Sequence, residues 1–261
     1  MSLLANPSPS GRPTDHFPPA EELDRALRGS SPAEVIATAL GTLGRERLAL
    51  VSSFGTESAA LLSVMAEVDP AIPVIFLDTG WLFEETLAYR DTLIATLRLR
   101  DVRSIRPAQE TLSLEDPERD LWFADPDACC RIRKVEPLQR ALAPFRGWIN
   151  GRKRFQGGHR TAIPVVEQDG ARLKFNPFAN ISREQIEAIY RLARLPPHPL
   201  AASGYLSVGC MPCTSRSSPD EDLRAGRWRG RPKTECGIHT AKTPSDGVAV
   251  APPDMIRYVP V

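Results

Sequence analysis

The apolar positions of this chain change period repeatedly, and each change predicts an element. Ser31, Pro32 and Glu34 precede an apolar helical pattern: Ser31 can cap, Pro32 suits the first turn and Glu34 can complete a capping box, which predicts a helix to about Leu43. The unbroken apolar run from Leu48 to Val51 predicts a short buried strand, and SSFGTESAALLSVMAEV continues it into a small-residue loop and an amphipathic helix. Ile72 to Leu77 predicts a second buried strand, which ends in Asp78-Thr79-Gly80. A helix through FEETLAYRDTLIATL and a third strand from Asp101 to Arg106 follow. Trp148 to Asn150 predicts another strand, with a basic loop of Gly151, Arg152, Lys153, Arg154 and Arg160 at its end. Val165–Glu167 and Arg172–Phe175 can pair across an Asp-Gly turn. Ser182 and Gln185 form a second capping box, whose helix should stop near Leu195, before Pro196 and Pro197.

Strands that alternate with helices in this way predict an α/β fold with a doubly wound, mostly parallel sheet. The loops then open at the carboxyl ends of the strands, where such sheets bind nucleotides. Ser53-Phe54-Gly55-Thr56-Glu57-Ser58 fits the pattern SxGx(D/E)S, in which backbone N–H groups and hydroxyls at a helix N-terminus face an anion. Taken alone, the pattern is also compatible with an ordinary strand-to-helix turn.

Composition narrows the setting. With 42% hydrophobic residues in 261, the chain can bury a full core; it is long for one domain and short for two large ones. A net charge of +1 gives no global field for nucleic acid. No apolar run reaches membrane-spanning length and the N-terminus has no signal-peptide pattern, so a cytoplasmic protein is expected. Residues 1–20 are rich in Pro and Ser and predict a disordered arm. Residues 21–213 hold the nucleotide-binding pattern, and 214–261 predict a mobile basic arm with Arg216, Arg224, Arg227, Arg229, Arg231 and Lys233 among Gly, Pro and Ser.

Cysteine spacing adds the chemistry. Cys129 and Cys130 are adjacent in ACCRIRK, and Cys210 and Cys213 form a CxxC in VGCMPCTS. Four thiolates from two distant places hold either zinc or an iron–sulfur cluster, and spacing alone leaves both open. The vicinal pair favours the cluster, because neighbouring side chains diverge and suit a four-iron cube better than one small ion. Lys134 lies one helical turn beyond Cys130 and can sit beside that group. The fifth cysteine, Cys236 in KTECGIH, lies between basic residues and His239 and is the candidate nucleophile.

The stretches SSFGTESAALL, FLDTGWLFEET, CCRIRKVEPL, WINGRKRFQ, FNPFAN, GYLSVGCMPCT, DLRAGRW and KTECGIH resemble the assimilatory adenylylsulfate (APS) reductases of the APS/PAPS reductase family. The resemblance implies an adenine-nucleotide α-hydrolase-like (PP-loop) fold and reduction of APS to sulfite and AMP, with thioredoxin or glutaredoxin as reductant. It implies [4Fe-4S] ligation by Cys129, Cys130, Cys210 and Cys213, and catalysis by Cys236 through a thiosulfonate intermediate. Phosphosulfate contacts fall on Lys134, Arg224, Arg227 and His239, as groups suited to supply positive charge. Nucleotide contacts fall on Ser52, Ser53, Gly55, Thr56, Glu57, Ser58, Leu77, Gly151 and Arg160. A PAPS reductase, a PP-loop ATP pyrophosphatase-type enzyme and a non-catalytic iron–sulfur or zinc scaffold are the competing readings. The sequence leaves open whether the protein is a homo-oligomer.

Overall fold

Successive residues of a strand face opposite sides of a sheet, and in the central strands both sides are apolar, so helices must cover both faces. The computed structural model describes residues 17–218, 220–239 and 256–257. In chain order its elements are α1 (Ala20–Leu27), α2 (Pro32–Leu43), β1 (Leu48–Ser52), α3 (Ser58–Val68), β2 (Val74–Leu77), α4 (Glu84–Leu97) and β3 (Val102–Ile105). Then come α5 (Gln109–Glu115), α6 (Leu121–Ala124), α7 (Pro126–Cys130), α8 (Glu136–Leu142), β4 (Gly147–Ile149), β5 (Val166–Asp169), β6 (Arg172–Phe175), α9 (Arg183–Leu192) and β7 (Ile256–Arg257). Leu48, Leu50, Val74, Phe76 and Ile149 face the larger core, under α1 to α4 and α9. Ala49, Ile75 and Trp148 face the smaller one, under α8.

The sheet order is β5-β6-β4-β1-β2-β3-β7. Strands β6, β4, β1, β2 and β3 run parallel, while β5 and β7 are antiparallel edges. The chain therefore reverses its direction of growth between β1 and β4, which opens a crevice at their carboxyl ends. The expected fold class is the one observed, and no helix among the described residues is long and apolar enough to cross a membrane.

Local chemistry explains most boundaries. Both capping boxes form, with Ser31 accepting from Glu34 N and Ser182 from Gln185 N. β2 starts at Val74 rather than Ile72, because the Asp69 carboxylate accepts from Ala71 N (2.9 Å) and holds a turn in front of Pro73. α9 ends at Leu192, short of Leu195, where Arg194 adopts a left-handed φ of 50°. Gly147 is required where α2 presses on β4, since a Cβ there would collide with Leu43 and meet Leu173 O at 3.0 Å.

At the chain's two ends, residues 1–16, 219, 240–255 and 258–261 lie outside the described residues. The described residues begin within the segment expected to be a disordered arm: Arg47 lies over the Phe17 ring (5.1 Å) and Ala20 opens α1. The basic arm is built into the fold from 220 to 239, and Ile256–Arg257 pairs with β3.

Candidate active site and thiol centre

The crevice at the strand ends is a cavity of about 230 Å³. Ser52, Ser53, Gly55, Thr56, Glu57, Ser58, Leu77, Gly151, Arg160, Lys134, Arg224, Arg227, Cys236 and His239 all line it. The loop after β1 is shaped by Phe54, buried in a left-handed conformation (φ 49°) with its N–H donating to Ser52 Oγ (3.1 Å). Such a conformation is uncommon for a bulky residue and bends the loop sharply between β1 and α3. Thr56 ties this loop to the approach to the CxxC: its Oγ1 donates to Leu206 O (2.9 Å), and its carbonyl accepts from Tyr190 Oη (2.8 Å).

The basic loop after β4 supplies groups that the sequence reading did not single out. Lys153 Nζ and Gln156 Nε2 both donate to Glu57 Oε2, at 2.8 and 3.1 Å. Burial pulls the pKa of Lys153 down, and Glu57 partly offsets it. Arg152 pairs with Glu167; burial and the nearby Arg160 bring it to about 10. Arg160 donates through Nε and Nη2 to both oxygens of Glu235, at 2.6 and 2.9 Å. Arg224 Nη2 reaches the same carboxylate at 3.5 Å and donates to Thr234 O at 2.9 Å.

Trp228 is the other residue missed. The cationic groups of Arg227, Arg224, Lys233 and Lys134 lie 4.7, 5.9, 5.9 and 6.0 Å from its ring centre. An aromatic face attracts each cation, which lets four like charges share one corner. Gly209 makes room for this packing, because a Cβ there would run into the Arg227 guanidinium. Basic residues around a tryptophan, with a glycine just before the first CxxC cysteine, were the available signals.

His239 lines the cavity and stacks on Trp148 with centroids 5.7 Å apart and planes 2° apart. Burial, and then Lys174, Arg152, Arg160 and Arg224, push its pKa well below the usual range. Its place is the expected one, and burial together with four neighbouring cations disfavours the imidazolium form.

A second, smaller cavity adjoins the first and is walled by Cys129, Cys130, Cys210 and Cys213 together with Trp81, Trp122, Pro126, Pro212 and Arg133. All five cysteines are free thiols. Asp125 caps α7, accepting from Asp127 N and Ala128 N, and so fixes the first pair. Cys213 N donates to Cys210 O (3.0 Å) in the tight CxxC turn, and Met211 N to Trp81 O (2.8 Å). Arg133 stays buried through its ion pair with Asp116 (2.7 Å).

Lys134 is common to both cavities. The expected helix through it contains a π-helical turn, Arg131–Val135, and its Nζ stands 3.9 Å from Cys130 Sγ. Burial alone would lower its pKa, but the facing cysteine sulfurs of Cys210, Cys236 and Cys130 raise it above the ordinary value. Burial pushes Cys129 up to about 12 and also raises Cys130 and Cys213. Burial acts the same way on Cys210, yet Lys134 and contact with Thr79 Oγ1 (3.2 Å) hold it below the usual thiol value. Three buried thiols and the half-buried Cys213 around one cavity make a soft donor set that fits an iron–sulfur group.

A crevice at a switch point of a doubly wound sheet, faced by an anion loop and covered by a cysteine-bearing arm, defines a nucleotide-binding protein with thiol chemistry at its mouth. The family model described as the phosphoadenosine phosphosulfate reductase domain matches residues 47–216, and the chain belongs to this family. It is 46% identical over 245 residues to an adenosine 5'-phosphosulfate reductase of Mesorhizobium japonicum, covering 91% of this chain and 95% of the relative. It is 40% identical over 227 residues to a phosphoadenosine 5'-phosphosulfate reductase of Gloeobacter violaceus, covering 84% and 92%. The crystal structure of phosphoadenylyl-sulfate reductase from Candida auris shares the fold with a TM-score of 0.63 at 23% identity, covering 80% of this chain and all of that one.

Proposed function

We propose that the protein is a cytoplasmic, thioredoxin-dependent adenylylsulfate reductase of sulfate assimilation, which converts APS to sulfite and AMP. The observation that carries this reading is the meeting of Cys236, the loop after β1 and the cations Lys134, Arg160, Arg224 and Arg227 in one cavity. Adenosine 5'-phosphosulfate is the substrate named for the Mesorhizobium relative, and the four thiols of the second cavity support the same branch of the family.

The chemistry follows from those groups. The Cys236 thiolate attacks the sulfonyl sulfur; a sulfur–sulfur bond forms, the bond from sulfur to the bridging oxygen breaks, and AMP leaves with the electron pair. Lys134, Arg224 and Arg227 offset the charge that builds on the sulfonyl and phosphate oxygens. The sulfonyl group is then held as a Cys236 thiosulfonate. The other four thiols belong to the second cavity, so Cys236 has no thiol partner among them. A thiolate of thioredoxin, or of glutaredoxin, attacks Cys236 Sγ, sulfite departs, and the second thiol of the reductant resolves the mixed disulfide. Sulfur goes from the sulfate to the sulfite level, and the dithiol supplies both electrons. Cys129, Cys130, Cys210 and Cys213 would hold a [4Fe-4S] group, which supplies charge that orders Lys134 rather than electrons for the reaction.

The test is sulfite release from APS and from PAPS in parallel with a dithiol reductant. The reading expects sulfite and equimolar AMP, with higher kcat/KM for APS. No sulfite from either substrate would overturn the function. Preference for PAPS would overturn the substrate and favour the activity named for the Gloeobacter relative.

A further inference from the structure

The cations of the cavity are not equally available. Lys153 is taken by Glu57 and Arg152 by Glu167, whereas Arg160 and Arg224 converge on Glu235, the residue immediately before Cys236. Glu235 presents two oxygens to Nε and Nη2 of Arg160, the fork geometry by which a guanidinium grips a phosphate or sulfate group. The cations overcome burial and keep the carboxylate ionised. Glu235 also ends a hydrogen-bonded chain from the anion loop: Glu57 accepts from Gln156 Nε2, Gln156 Oε1 accepts from Arg160 Nη1, and Arg160 grips Glu235.

The arm has independent anchors. Arg231 Nη1 donates to the carbonyls of Trp122 and Phe123 (2.8 and 3.2 Å), and Lys233 pairs with Asp127. Glu235 is therefore not needed to attach the arm, only to set where its last turn lies. Gly237 follows Cys236 with φ 83°, a region that glycine enters without the penalty other residues meet. The thiol is thus flanked by an anionic contact on one side and a permissive backbone on the other.

We propose that Glu235 is a built-in occupant of the anion site: it holds Arg160 and Arg224 until the doubly anionic phosphosulfate takes its place, and that exchange positions Cys236 for attack. Glu235 is on this account a positioning residue. It competes with substrate for the two guanidinium groups in the ground state, and its release by substrate carries the adjoining Cys236 to the sulfonyl group. The proposal rests on the reading of the cavity as an APS site.

The experiment measures APS binding in a Cys236→Ser background, where no turnover occurs, with and without Glu235→Gln. Freeing two guanidinium groups should tighten APS binding about tenfold, with a steeper loss of affinity as salt is added. In the Cys236 enzyme, Glu235→Gln should slow single-turnover AMP release at saturating APS, so that KM and kcat fall together. Glu235→Asp, which keeps the charge, should restore part of the rate. Unchanged or weaker APS binding in Glu235→Gln would overturn the proposal, because a merely structural contact would give that result. Absence of APS binding in the Cys236→Ser parent would instead overturn the reading of the site.

Discussion

The two cavities that meet at Lys134 are built differently. The nucleotide cavity stands on the edge of a sheet whose strands are buried on both faces, and its anion loop is continuous with β1 and α3. The thiol cavity is walled by short helices, a π-helical turn and a 3-10 turn at the CxxC. Apolar burial holds the first in shape, at roughly 1.5–3 kcal/mol for each large side chain. In the second, burial pushes the Cys129 thiol up to about 12 and Lys134 faces the cysteines from the shared wall. One site takes its geometry from the sheet; the other takes it from short turns that gather four cysteines.

Changing Lys134, which both cavities share, should have the largest effect. Lys134→Ala should cost about 10²–10³-fold in kcat, the scale of losing one preorganised charge at a reacting centre. Steady-state sulfite release measures it; a loss below about threefold would deny the residue its role at the junction.

Removing one thiol ligand should separate the two cavities. Protein purified without oxygen should be brown and contain iron and acid-labile sulfide, and Cys210→Ser should bleach it. AMP affinity should stay within about threefold, because the sheet edge does not depend on that group. Loss of AMP binding along with the colour would break the distinction. Colourless, active wild-type protein with stoichiometric zinc would reject the cluster.

Smaller effects test the scaffold. His198 is buried, meets Tyr89 edge to face and bonds to Thr86 Oγ1 (3.1 Å); burial lowers its pKa from 6.5 to about 4. Between those values the unfolded chain binds a proton that the folded one refuses, so stability should fall as pH drops from 6.5 toward 4. Thermal melts of wild type and His198→Gln should show that slope and its flattening; identical slopes would remove His198 as the cause. Smaller still, Ser31→Ala should cost about 1 kcal/mol, roughly 2–4 °C in Tm, with APS turnover unchanged. A turnover loss there would mean that the far side of the sheet is coupled to the site.

The same contrast explains what the sequence revealed. The capping boxes, the strand end at Leu77, the bodies of β1 and β4 to within a residue and the loop after β1 rest on neighbouring residues, so pattern and composition expose them. Glu57 with Lys153 and Glu235 with Arg160 join residues far apart in the chain. A glutamate in a basic arm reads as solvated until its partner is placed. The π-helical turn runs into Pro137, which has no N–H to donate back to it, and arises where the cysteine pair and Lys134 face one cavity. The protonation of His239 is hard to read for a related reason: its position follows from the motif, but its protonation depends on burial and on four cations brought in by other elements.

The most direct test of the account is mass spectrometry of protein incubated with APS and no reductant. One added SO3 group on the peptide containing Cys236, with one equivalent of AMP released and the adduct removed by reduced thioredoxin, is the predicted result. An adduct on another cysteine, or AMP released unchanged by Cys236→Ser, would contradict it.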